Sequence, residues 1–205
     1  MIPKIIHQIW IGPNSFPSHV QDYCTNIKNI FHDYEYKFWN NDNLPTMSDK
    51  CVRQFDRYGK RGKYAFQADI LRYYIMNTFG GIYLDVDFIC NKRFDHLIQK
   101  PFFCVTPNNN FFHVCNGIFA CAPNNPILTR LLKELRDDIY HGPLYFTKHI
   151  SNFIGVSYGT HIYNYLENNP SDFIECSNAK HFFTKTGYCF HDALKSWLPR
   201  RNKKQ

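Results

Sequence analysis

From Phe79 to Ile89 hydrophobic and polar positions alternate with a period of two. Ile82, Leu84, Val86 and Phe88 fall on one face, and Tyr83, Asp85 and Asp87 on the other, which is the side-chain geometry of a β-strand. Ahead of it, Tyr64 to Thr78 is predicted to be a helix. Phe66, Ile70, Tyr73, Tyr74 and Asn77 recur at helical spacing, Ala65 and Ala68 are strong helix formers, and Gly80 is placed to end it. The chain opens with a predicted strand, Lys4 to Ile11, stopped by Gly12-Pro13. A helix from Val20 to Phe31, a strand from Tyr34 to Trp39 and a helix from Asp49 to Tyr58 follow. Downstream, Phe102–Val105 and Asn116–Ala122 read as strands. Pro126–Tyr140 reads as a helix striped by Ile127, Leu128, Leu131, Leu132 and Leu135. Leu144–Ile154 reads as a further helix and Ile174–Cys176 as a late strand. Strands and helices alternate without internal repeat or long linker, so the fold class is α/β in one domain.

Composition narrows the function. The hydrophobic share of 44% and charged share of 20% are those of an ordinary globular chain of 205 residues. The net charge is +7, of which Arg200, Arg201, Lys203 and Lys204 supply four. The body is therefore only weakly basic, which argues against nucleic acid as a partner. The tail, residues 199–205, is expected to be a solvated end, with weak contact to a membrane surface as its other reading. Eight cysteines include no Cys-x-x-Cys pair, so buried free thiols are expected rather than structural zinc. No apolar stretch approaches the ~20 residues that span a bilayer, and no signal peptide is evident, so a cytoplasmic location is expected.

The candidate chemistry centres on Asp85 and Asp87. On one strand face they stand ~7 Å apart. Two anions that close repel unless a cation or donors lie between them, and their hard oxygens suit Mn²⁺ or Mg²⁺. An ion with so few protein ligands shares its shell with a phosphate. Asp69 and Arg72 are neighbours on the predicted helix, either as a surface ion pair or as part of the same cleft. Trp10 ends the first strand, where open α/β sheets bind ligands. Gly59-Lys60-Arg61-Gly62-Lys63 is basic but lacks the spacing of a phosphate-binding loop, and reads as a surface loop. An Asp-x-Asp at a strand end also occurs in dehalogenase-type phosphohydrolases. Lys133, Asp137 and Asp138 could imitate their downstream residues. A non-catalytic sugar-nucleotide-binding module is the third reading.

The segments Ala68-Asp69-Ile70-Leu71-Arg72 and Gly80-Gly81-Ile82-Tyr83-Leu84-Asp85-Val86-Asp87 decide the weighting. With the opening Ile2-Pro3-Lys4-Ile5-Ile6-His7-Gln8-Ile9-Trp10-Ile11-Gly12, Gly142-Pro143 and the closing His191 to Trp197, they resemble the DxD-motif glycosyltransferase family 32. That family includes the yeast initiating mannosyltransferases and is related to the catalytic domains of the large clostridial glucosylating toxins. The resemblance implies a GT-A fold over residues 1–198: one Rossmann-like domain with a mixed, mostly parallel sheet. It implies a metal-dependent, retaining enzyme that moves a hexose from a nucleotide-sugar, UDP-linked by preference, to a glycan or other hydroxyl acceptor. Trp10 would stack on the donor base. Asp69 and Arg72 would contact the sugar, with Arg72 also near the diphosphate. Tyr83 would pack on ribose or sugar, and Asp85 would bind ribose and sugar hydroxyls. Asp87 would ligate Mn²⁺ or Mg²⁺, with Asp85 beside it and His191 as a further ligand. Ser196 and Trp197 would close over the diphosphate, and Asn116 would lie near the sugar or acceptor.

Overall fold

The computed structural model describes residues 1–107, 112–137, 139–184 and 186–191, apart from the side chains of His19, His181 and His191. Ser196, Trp197 and the basic tail lie outside the described residues. Six strands form the main sheet: β1 (Ile5–Ile9), β2 (Glu35–Trp39), β3 (Gly81–Leu84), β5 (Phe102–Thr106), β6 (Cys115–Cys121) and β7 (Ile174–Asn178). Their order across the sheet is β2-β1-β3-β6-β5-β7. The β1–β2, β1–β3 and β5–β7 pairs are parallel, and β6 alone runs against its neighbours β3 and β5. A second sheet pairs β4 (Phe88–Cys90) antiparallel with β8 (Cys189–His191).

Period-two alternation sorts the central strands onto two cores. Ile82, Leu84, Phe103, Val105, Ile118 and Ala120 face one side, where Ile27, Phe31 and Phe182 pack on them. Tyr83, Phe102, Cys104, Phe119 and Cys121 face the other. On that side lie the helices α2 (Asp49–Gly59), α3 (Tyr64–Phe79), α4 (Pro126–Lys133), α5 (Pro143–Ile154) and α6 (Ile162–Asn168). Helix α1 (Ser18–Ile30) and the short α7 (Ala179–Phe182) cover the opposite face. Such a sheet, with helices on both sides, is the expected α/β layering.

Three local expectations change. The strand read through to Ile89 ends at Leu84. The Phe88 N–H donates to the Asp85 carbonyl at 3.2 Å, closing a turn over Val86 and Asp87. Val86 therefore leaves the face of Ile82 and Leu84 and packs with Val20 and Cys24 in a separate small cluster. The helix read through to Tyr140 stops at Lys133. Beyond it Leu135 keeps its buried place, but Asp137 turns to Gln54 and Arg57 of α2. Helix α3 has no single wet face. Gln67, Asp69, Arg72 and Tyr73 are buried with Ile70, Leu71, Ile75 and Met76, so Asp69 and Arg72 do not form a surface pair.

The corner joining α3 to β3 accounts for the double glycine. Gly80 and Gly81 both hold positive φ, +64° and +103°, a region L side chains rarely enter. A Cβ on Gly81 would stand 2.5 Å from the Ile5 carbonyl, and one on Gly80 would stand 2.8 Å from the Pro123 nitrogen. His7 of β1 props the corner. Its Nδ1 accepts from the Trp39 indole at 3.1 Å, so its Nε2 carries the proton and donates to the Gly80 carbonyl at 2.9 Å.

Candidate active site

Helix α3 and strand β3 converge on one buried guanidinium. Arg72 Nη1 donates to the Asn116 carbonyl at 2.8 Å. Its Nη2 lies 3.2 Å from Asp85 Oδ1, and its Nε lies 3.5 Å from Asp69 Oδ1. The guanidinium carbon also sits 4.7 Å from the centre of the Tyr83 ring, within cation–π range. Burial works against the Arg72 charge, but Asp85, Tyr83 and Asp69 outweigh it and hold the pKa well above the usual arginine value. One buried and one half-buried carboxylate are thus tied together through one cation, the arrangement that makes such charges tolerable away from water.

The two acids differ. Asp69 is almost fully buried, its side chain 4% exposed. Its Oδ1 accepts from the Asn116 amide at 2.8 Å, while Oδ2 is buried without a hydrogen-bond partner. Burial pushes its pKa up to about 6, against the pull of Arg72. The Asp85 side chain is 32% exposed and forms the mouth of the network. Its Oδ1 accepts from the Tyr83 hydroxyl at 2.6 Å. The Asp85 backbone is held on both sides: its N–H donates to the Gly117 carbonyl at 2.8 Å, and its carbonyl accepts from the Gln8 amide at 3.3 Å.

Several residues of this network are not among those the sequence singles out. Tyr73, read as part of an apolar stripe, accepts from the Asn116 amide at 2.9 Å and donates to the His141 carbonyl at 2.9 Å. Gly117 leaves room for the Asp85 carboxylate, since a Cβ there would stand 2.6 Å from Oδ2. Gln8 is oriented by the Tyr36 hydroxyl, which donates to its Oε1 at 2.5 Å. Tyr140 brings its hydroxyl beside Asp69, its ring stacked on Phe66 at 4.1 Å. A tyrosine in an apolar run and a glycine inside a strand carry no local signal of these tasks. The one available hint was Asn116-Gly117 opening a strand, where β5 and β6 shift register beside Val105. Such an irregularity re-aims side chains.

Asp87 lies half-buried in the turn that follows β3. Trp10 follows β1 directly, its indole donating to the Asn14 carbonyl at 2.9 Å and its ring edge-on to Phe16 at 5.4 Å. Trp10 and Phe16 pack on the cluster that holds Val86, so the structure draws Trp10 toward the Asp85–Asp87 turn. The backbone of His191 pairs with Phe88 across β4 and β8, which brings the last described residue next to Asp87 in the chain. Of Lys133, Asp137 and Asp138, which could imitate the phosphohydrolase residues, Asp138 lies outside the described residues and the other two do not join this site. Lys133 is exposed and Asp137 faces α2.

Comparison with known proteins gives this arrangement a context. Residues 17–103 match the family described as glycosyltransferase sugar-binding region containing DXD motif. An uncharacterized glycosyltransferase of Acanthamoeba polyphaga mimivirus is 29% identical over 97% of this chain and 85% of its own length. Inositol phosphoceramide mannosyltransferase 3 of Schizosaccharomyces pombe is 30% identical over 65% of this chain, which spans 37% of that protein. Among solved structures, the PaToxG glycosyltransferase is similar with a TM-score of 0.63 at 19% identity, over 82% of this chain and 75% of its own. The UDP-bound glycosyltransferase domain from the YGT toxin is similar with a TM-score of 0.50 at 13% identity, over 77% of this chain and 69% of its own. The last two likenesses are of fold.

Proposed function

We propose that this chain, whose residues 17–103 match the glycosyltransferase sugar-binding region containing DXD motif, transfers a hexose from a nucleoside-diphosphate sugar, UDP-linked by preference, to a hydroxyl acceptor. The reaction would retain anomeric configuration and need a divalent ion. The observation that carries this reading is the Asp69–Arg72–Asp85 network, buried on the helix side and opening at Asp85 beside the Asp87 turn. A pocket for a diphosphate sugar requires a fixed cation near the leaving group and carboxylates near the sugar hydroxyls, and this network supplies both. UDP is preferred because a domain of similar fold is described as UDP-bound; a mannosyltransferase relative makes mannose one candidate for the sugar.

The residues present fit a divalent ion of a particular kind. Among the described residues no three His, Cys, Asp or Glu side chains group into a cage. Asp87, half-buried in the turn after β3, with Asp85 beside it, is proposed as the protein ligand on the described chain. Mn²⁺ and Mg²⁺ are content with one or two carboxylates when phosphate oxygens complete the shell. His191, whose side chain lies outside the described residues, is proposed as an additional ligand. The bound ion would neutralise charge on the departing diphosphate.

The protein's own part is positional. Arg72 cannot lose its charge at any working pH, and it is preset by Asn116, Asp69 and Asp85. It stabilises the diphosphate more as its charge grows than before the bond breaks. Asp85 accepts donor hydroxyls from the position that Tyr83 and Gly117 hold open. Asp69 holds Arg72 and Asn116 in place and is proposed to contact the donor sugar. Trp10 offers an aromatic surface for the base, and Ser196 and Trp197, outside the described residues, are proposed to contact the diphosphate. Asp69 and Asp85 are both engaged by Arg72, and the leaving phosphate takes the acceptor's proton on the retained face.

Donor hydrolysis tests this. With Mn²⁺ and a nucleotide-sugar, nucleoside diphosphate is expected to accumulate, and Asp87→Ala is expected to reduce it at least 100-fold while the fold persists by circular dichroism. Release of inorganic phosphate from simple monoesters, with no diphosphate from any nucleotide-sugar, would sink the proposal.

A further inference from the structure

Cys90 and Cys189 occupy directly facing positions in the antiparallel pair of β4 and β8. Their sulfurs lie 3.0 Å apart, and both residues are buried, at 1% and 0% exposure. A disulfide needs sulfurs at ~2.05 Å, so an approach of only about 1 Å separates the two thiols from a covalent bond. Each strand is three residues long, and a two-stranded ribbon of that size is marginally stable by itself. A bond here would close a loop of 99 residues, the long-loop case in which a cross-link constrains the unfolded chain most. It would also lock the pairing of Phe88 with His191, immediately after Asp87.

We propose that Cys90 and Cys189 are a covalent modification site, a reversible disulfide that ties the strand ending at His191 to the strand that follows Asp87. The chemistry is thiol–disulfide exchange with a low-molecular-weight disulfide such as oxidised glutathione. One cysteine thiolate attacks a glutathione sulfur and forms a mixed disulfide, releasing the first glutathione thiolate. The second cysteine thiolate then attacks the protein sulfur of that mixed disulfide and releases the other. Two protein thiols are oxidised by two electrons, and one glutathione disulfide is reduced to two thiols. The two protons lost by the cysteines end on the glutathione pair. Opening of the short ribbon admits the oxidant, because such small units open locally at far lower cost than the whole fold. The tie is a property of the two strands and does not depend on the transferase reading.

The test uses the full chain equilibrated in glutathione buffers of graded ratio, quenched in acid, alkylated and digested without reductant. The expected product is a peptide linking Cys90 to Cys189, with two of the eight thiols protected from alkylation. The oxidised chain should melt roughly 5–10 °C above the reduced one. Cys189→Ala and Cys90→Ala should each abolish both the linked peptide and the shift. Because the link is read in the wild-type protein, the result stands even if a variant folds poorly. Absence of the linked peptide at every glutathione ratio, or a link between other cysteines in its place, overturns the proposal.

Discussion

A methyl group at position 117 would meet the Asp85 carboxylate at 2.6 Å. Tyr83 and Arg72 hold that carboxylate from the other side, so it cannot retreat without giving up one of them. Gly117→Ala is therefore expected to lower donor turnover by ~10–100-fold, while overpacking costs about 1–3 kcal/mol of stability by urea denaturation. Loss of stability without loss of turnover would show that Asp85 moves freely. Asp69 gives a pH signature. Burial raises its pKa to about 6, so the anion that is proposed to contact the donor sugar disappears as pH falls through that value. kcat/KM for donor hydrolysis should drop below about pH 6, and Asp69→Asn should remove that limb along with most of the activity. At Arg72 the charge alone does not suffice. Lysine cannot reach Asn116, Asp69 and Asp85 together, so Arg72→Lys should cost about 2–4 kcal/mol by urea denaturation.

Between elements, the corner from α3 into β3 decides where the acids sit. Gly81 combines φ of +103° with close approach to the Ile5 carbonyl, so Gly81→Ala is expected to cost at least ~2 kcal/mol of stability. His7, under the same corner, is held neutral: burial lowers its pKa to about 4 from 6.5. The unfolded chain takes up this proton first. The stability contributed by His7 is thus complete above pH 6.5 and falls away as pH drops toward 4, by on the order of 3 kcal/mol in total. His149 is displaced the same way by its burial. Asp69 works in the opposite sense, its stabilising share present below pH 3.8 and lost as pH rises through about 6. The balance favours the histidines, and stability should fall between pH 6.5 and 4. Replacing His7 with Gln should reduce the slope of unfolding free energy against pH by about one proton.

Across the whole molecule, the site is assembled from β1, α3, β3 and β6, elements spread over more than half the chain. A ligand that touches all of them should stabilise the fold as one body. A nucleotide-sugar with Mn²⁺ at 100 times its Kd is expected to add about 2.7 kcal/mol, visible as a thermal shift of several degrees that Asp87→Ala removes. A shift that survives that substitution would place the nucleotide elsewhere. The likeness of fold to the PaToxG glycosyltransferase extends over 82% of the chain.

The residues by themselves determined most of this architecture. Short apolar runs bounded by turn residues marked the five strands of the main sheet outside the acidic stretch, and helical spacing marked most of the long helices, because burial in a sheet or along a helix stripe leaves a trace in sequence. They also determined the acidic pair and its neighbours Asp69 and Arg72. What only the tertiary structure decided was where these polar groups go. A salt bridge inside a core has the same sequence spacing as one in water, so Asp69 and Arg72 could not be told from a surface pair until α3 was packed on all sides. The turn at Val86 and Asp87 broke the alternation, where the Gln8 side-chain amide and the Gly117 carbonyl hold the Asp85 backbone from distant strands.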